Sequence, residues 1–93
     1  MVAIARGMMA EPKLMILDEP SLGLMPSLVK EMFSFVERIK ESGVTVILVE
    51  QNVDQTLKIA DYAYVIQNGE TIISGTREEM MANEQIKKAY LGM

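Results

Sequence analysis

Leu14-Met15-Ile16-Leu17-Asp18-Glu19-Pro20 is the stretch that decides the fold, because four large apolar residues run directly into two adjacent carboxylates and a proline. That is the pattern of a buried strand whose end opens onto a polar site. A run apolar on both faces suits the interior of a parallel sheet covered by helices on both sides. In such sheets ligands bind beyond the carboxyl ends of the strands. Side chains alternate along a strand, so Asp18 and Glu19 are expected to leave in different directions and to serve two roles rather than one. Asp18 suits a hard divalent cation such as magnesium, which takes oxygen ligands, often through water. Glu19 suits the orientation or deprotonation of a water beside it. An isolated Asp-Glu pair would read as solvated charge at a strand end, so the neighbouring residues decide between the two readings.

Downstream, Pro26 suits the first turn of a long helix, where its missing N–H would be unpaired anyway. Leu28, Val29, Met32, Phe33, Val36 and Ile39 fall on one stripe of that helix, a core-facing pattern, while Lys30, Glu31, Glu37, Arg38 and Lys40 lie largely elsewhere. Gly43 is a fitting stop, and Val44-Thr45-Val46-Ile47-Leu48-Val49 is a second buried strand. It ends in Glu50-Gln51-Asn52, which brings a second polar cluster to the edge occupied by Asp18 and Glu19. Pattern alone reads Gln51 as a solvated strand end. Asn52 reads as the N-cap of a short helix, with Gln55 reaching back as in a capping box and Val53, Leu57 and Ala60 on one face.

Toward the C-terminus, residues 62–67 and 70–74 flank Asn68-Gly69, the strongest short hairpin signal, and predict an antiparallel hairpin. Thr76-Arg77-Glu78-Glu79 fits a capping box opening a helix through about Ala82, and Ile86, Ala89 and Tyr90 suggest a last short helix ending near Gly92. Upstream of the central stretch, residues 2–10 have helix-forming composition with no capping residue ahead of them. They read as a helix entered partway and broken by Glu11-Pro12-Lys13, and Met1 fits an internal methionine of a longer chain.

The composition narrows the chemistry. With 93 residues, 49% hydrophobic and 24% charged, the chain suits one globular domain or part of a larger one. A formal charge of -4 argues against a nucleic-acid surface. Without cysteine there are neither disulfides nor thiolate metal sites, and without histidine the commonest general base is gone, so catalysis must use carboxylates or amides. No apolar run approaches the roughly 18 residues of a membrane span, and the N-terminus lacks the layout of a secretory signal, which gives a cytoplasmic reading. The 9 methionines are scattered among several elements, as expected of core filler rather than of a binding groove.

Leu14 to Pro20 followed by Ser21-Leu22-Gly23-Leu24 closely resembles the Walker B segment and D-loop of ATP-binding cassette (ABC) ATPases, and Ala3-Ile4-Ala5-Arg6 resembles the end of the helix that follows their signature segment. Leu48-Val49-Glu50-Gln51-Asn52 and Lys88-Ala89-Tyr90-Leu91-Gly92 narrow the resemblance to the ATPases of branched-chain amino-acid importers, with urea-type importers a near neighbour and ABC ATPases of DNA repair more distant. The resemblance covers residues 1–93 as the C-terminal part of a nucleotide-binding domain. It implies an α/β fold, a partial P-loop NTPase sheet with two parallel strands, a C-terminal antiparallel hairpin and flanking helices. It implies that Asp18 holds Mg2+ of Mg-ATP through water, that Glu19 is the catalytic base for water attacking the γ-phosphate, and that Gln51 stands at the switch position, where most of the family has histidine. It further implies dimerisation with a second ABC ATPase subunit beneath transmembrane permease subunits, a place at the inner face of the cell membrane without insertion into it, and no nucleic-acid partner. Gly7 and Met25 replace the alanine and aspartate frequent at their positions. The sequence holds no Gly-x-x-x-x-Gly-Lys-Ser/Thr and no signature Gly-Gly segment, so these 93 residues alone are expected not to hydrolyse ATP. The same gap is expected to leave apolar strand faces uncovered. The alternative expectation is a short noncatalytic protein that binds another ABC ATPase subunit through that surface.

Overall fold

The computed structural model describes residues 2–91, which divide into two compact units between Gln51 and Asn52. In the first unit, helix α1 (Val2–Met9) leads through a left-handed Glu11 (φ 51°) into strand β1 (Leu14–Asp18). Helix α2 (Pro26–Glu41) then crosses to strand β2 (Thr45–Val49), which pairs parallel with β1. Met25 is extended (φ -66°, ψ 152°), as the residue before a proline is driven to be, and Pro26 opens the helix. At the other end Ser42 donates its N–H to the Arg38 and Ile39 carbonyls at 3.1 and 3.2 Å and its hydroxyl to Ile39 at 2.6 Å. Gly43 then takes φ 103°, a conformation costly for any residue with a Cβ.

Met32, Phe33, Val36 and Ile39 of α2 are buried as the stripe requires, together with Ile4, Met15 and Val44. At the start of the helix the stripe is less covered: Val29 is half-buried and Leu28, in the first turn, is exposed. The register Leu14↔Thr45, Ile16↔Ile47, Asp18↔Val49 sets alternate residues of both strands on a common face. Met15 is buried, and Leu17, Val46 and Leu48 are partly so. On the opposite face Leu14, Ile16, Ile47 and Val49 are 51, 64, 49 and 48% exposed. The expectation of helices over both sides therefore fails among the described residues, and the expectation of an uncovered apolar face holds.

In the second unit, helix α3 (Val53–Ile59) is capped by the Asn52 side chain, which accepts from the Gln55 N–H at 3.2 Å; among the described residues the return bond from the Gln55 side chain is absent, so the box is half formed. Strands β3 (Tyr62–Gln67) and β4 (Glu70–Thr76) form the antiparallel hairpin, β4 running two residues further than expected. Asn68 and Gly69 both take positive φ, 53° and 77°, as a type I′ turn demands. An irregularity between Val65 and Ile66 pairs Ile66 with Thr71 and Val65 with Ile73. Ala63, Val65 and Ile73 can then pack on the core of Leu57, Met80 and Ile86. Helix α4 (Arg77–Ala82) carries the full capping box between Thr76 and Glu79, and Asn83 caps helix α5 (Glu84–Ile86), which continues as a π-helical turn, Lys87–Leu91. The expected last helix is thus present, with Ile86 buried and Ala89 and Tyr90 exposed. The end expected near Gly92 lies outside the described residues.

The Thr76 backbone N–H, and then its hydroxyl, stabilise the ionised Glu79 carboxylate and hold its pKa below the usual 4.5. A depressed carboxylate contributes stability that is present above its unfolded pKa and is lost as pH falls through the folded one, so the box weakens only in acid. Thr76→Ala removes the hydroxyl and keeps the N–H. It should move the Glu79 pKa part of the way back toward 4.5 in an NMR titration, and it should cost about 1 kcal/mol in chemical denaturation.

Candidate functional site

Asp18 is the last residue of β1 and faces Val49, the last residue of β2. The two strands run parallel, so both carboxyl ends open on one edge, with Asp18 closing β1 and Glu19 just beyond it, and Glu50 and Gln51 just beyond the end of β2. The ladder extends one rung beyond the strands, where the Glu19 N–H donates to the Val49 carbonyl at 2.7 Å. Glu19 itself takes φ 47°, the left-handed region that a residue with a Cβ enters at a cost. This turn breaks the strand's alternation immediately after Asp18. Asp18 is exposed and Glu19 half-buried, and among the described residues neither carboxylate takes a hydrogen bond or ion pair. Both remain available to water and ligand.

Beyond Glu19 the chain folds into two overlapping turns, the Leu22 N–H donating to the Glu19 carbonyl and the Leu24 N–H to the Ser21 carbonyl, both at 3.1 Å. Gly23 supplies the positive φ of 80° in the second of these turns. Glu50 bonds the turn directly. Its Oε1 accepts the Ser21 N–H at 3.0 Å, and the Ser21 hydroxyl lies 2.8 and 2.7 Å from Oε1 and Oε2, sharing one proton between them. Reasoning along the chain missed this pair, because its members are 29 positions apart. The available signal was register: once Asp18 faces Val49, residue 50 must lie beside the turn that follows residue 18.

Asp18, Glu19 and Gln51 thus all lie at or just beyond the carboxyl ends of the two parallel strands, with Gln51 exposed. Among the described residues no three Asp or Glu side chains converge as a protein-only metal cage. The donor set fits magnesium held by one carboxylate through water, with the remaining positions left to water and substrate phosphates. It does not fit a calcium cage of six or more protein oxygens.

In three dimensions the chain superposes on the ATP-binding cassette MJ1267 of an ABC transporter in its ADP conformation, with a TM-score of 0.76 and 30% identity over 99% of the chain and 38% of that structure. The fold is that of part of an ABC ATPase domain. CbiO1 of Clostridium perfringens, part of the ABC transporter complex CbiONQ, matches at a TM-score of 0.75 and 36% identity over 94% of the chain and 35% of its own. In sequence the chain resembles the high-affinity branched-chain amino acid transport ATP-binding protein BraG of Pseudomonas aeruginosa, 48% identical over 92 residues, 99% of this chain and 40% of BraG. The chain thus spans about two-fifths of the length of such relatives. No family model matches it. Among the described residues of this ABC ATPase fold, no helix is long and apolar enough to cross a membrane.

The left-handed backbone at Glu19 has a measurable signature. Glycine enters this region without the steric penalty, so Glu19→Gly should be about 1 kcal/mol more stable than Glu19→Ala in chemical denaturation, the reverse of their order inside a helix.

Proposed function

We propose that this chain is the Walker B, D-loop and switch-loop part of an ATP-hydrolysing subunit that powers an ABC importer of branched-chain amino-acid type. The observation that supports the reading is that Asp18 ends β1 opposite Val49, the end of its parallel neighbour β2, with Glu19 directly after the one and Gln51 two residues after the other. The likeness to BraG supports the importer type.

In this reading Asp18 holds Mg2+ through water. Bound there, the ion would neutralise charge on the β- and γ-phosphates of ATP. Glu19 orients a water in line with the γ-phosphorus and accepts its proton as the water attacks. Gln51 donates an amide hydrogen bond to a γ-phosphate oxygen, a neutral contact where a histidine could bring positive charge. Phosphoryl transfer depends chiefly on positioning and charge stabilisation, which a phosphate loop and its lysine provide. The 93 residues contain no such loop, so it is supplied by chain beyond them, and these residues alone are inactive. The subunit works as a dimer with a second ABC ATPase subunit, docked on permease subunits at the cytoplasmic face of the membrane, as the membership of CbiO1 in a transporter complex supports.

The exposed face of Leu14, Ile16, Ile47 and Val49 favours a second reading, a short noncatalytic protein that covers this face with another ABC ATPase subunit. Co-purification with the partner subunits decides it, and a soluble monomer that captures none of them rules it out.

The first reading is tested in the full-length subunit assembled with its permeases. Glu19→Gln should leave ATP binding intact and lower turnover by about 10²- to 10⁴-fold. Turnover at the wild-type level would overturn the role of Glu19.

A further inference from the structure

Glu19 occupies a left-handed conformation that no glycine relaxes, and such a conformation persists only where its surroundings hold it from both sides. One side is the ladder, with Glu19 N–H on Val49 O at 2.7 Å. The other is the Ser21–Glu50 contact, two residues later. Between the two anchored nitrogens the soft torsions are φ and ψ of Glu19 and ψ of Pro20, because the proline ring locks its own φ. Both anchors belong to β2 or the residue just after it, and the residue following Glu50 is Gln51.

We propose that Glu50 is a positioning residue: its carboxylate, by holding the N–H and hydroxyl of Ser21, fixes the backbone at Glu19 and sets that side chain's direction relative to Gln51. Two acceptor oxygens on one group match two donors on one residue. A charged acceptor makes such bonds roughly twice as strong as neutral ones. Freed from Ser21, the turn keeps its ladder bond but loses the anchor beyond Pro20, and Glu19 can relax out of the left-handed region. The inference rests on the reading of Glu19 given under Proposed function and deepens it, since Glu50 is argued to act through Glu19.

The test uses the full-length subunit in its transporter assembly and measures kcat and KM for ATP, thermal stability and amide exchange at Ser21. Glu50→Ala should lower kcat by about 10- to 100-fold, the scale on which misplacing a reacting group acts, with KM and Tm nearly unchanged and the Ser21 amide exchanging faster. Glu50→Gln, which keeps one acceptor, Ser21→Ala, which keeps the N–H, and Ser21→Thr, which keeps both donors, should fall between that variant and wild type, with Ser21→Thr nearest wild type. In a Glu19→Gln background, Glu50→Ala should remove nothing further from the residual turnover, because its effect passes through Glu19. A kcat near wild type despite lost protection at Ser21 overturns the proposal. So does a loss of kcat that tracks a fall in Tm, or one that persists undiminished in the Glu19→Gln background. Wild-type turnover insensitive to Glu19→Gln would instead overturn the reading of Glu19 on which the proposal stands.

Discussion

The parallel register that sets Asp18 opposite Val49 is the constraint on which the first unit depends. It brings two polar strand ends to one edge, allows the ladder to continue through Glu19 N–H, and places Glu50 against the turn that follows. A slip of one residue would turn Met15 to the exposed face and move Glu50 away from Ser21. Burial and site geometry are thus set by the same pairing. The buried stripe of α2 supplies the apolar partner that two strands alone would lack.

The exposed face of that sheet follows from the same residues that make the strands. β1 is apolar up to its closing Asp18 and β2 is apolar after its opening Thr45, a composition suited to a strand covered above and below. Among the described residues only one face is covered, and each strand also has an unpaired edge. Exposed edges and apolar faces of this kind favour association with further chain or with another molecule. BraG, of which this chain matches 40%, carries further polypeptide outside the matched part.

Most elements were legible because their signals are local. Two predominantly apolar runs marked β1 and β2, Asn68-Gly69 marked the hairpin turn, and Thr76 with Glu79 marked the start of α4 within four residues. Leu28 was misassigned because the first turn of a helix can extend beyond the core that its later turns cover. Asn52 and Gln55 satisfied the pattern of a reciprocal cap while forming only one of its bonds. At the candidate site, residue type and strand order singled out Asp18 and Glu19, whereas Gln51 was singled out only by the family resemblance. The Ser21–Glu50 contact and the left-handed Glu19 were found by neither, since both depend on which strand lies beside which and in what register. Tertiary proximity of this kind leaves no periodic trace.

The hairpin of the second unit and the parallel pair of the first also differ in time. A hairpin closed by two residues forms in about 1–10 μs. A parallel pair must wait for its crossover, here the chain from Asp18 through α2 to Thr45, to be drawn into place before any rung can form. The strand edge bearing the carboxylates is therefore a late product of folding, and an ordered Ser21–Glu50 contact marks a first unit that has finished assembling.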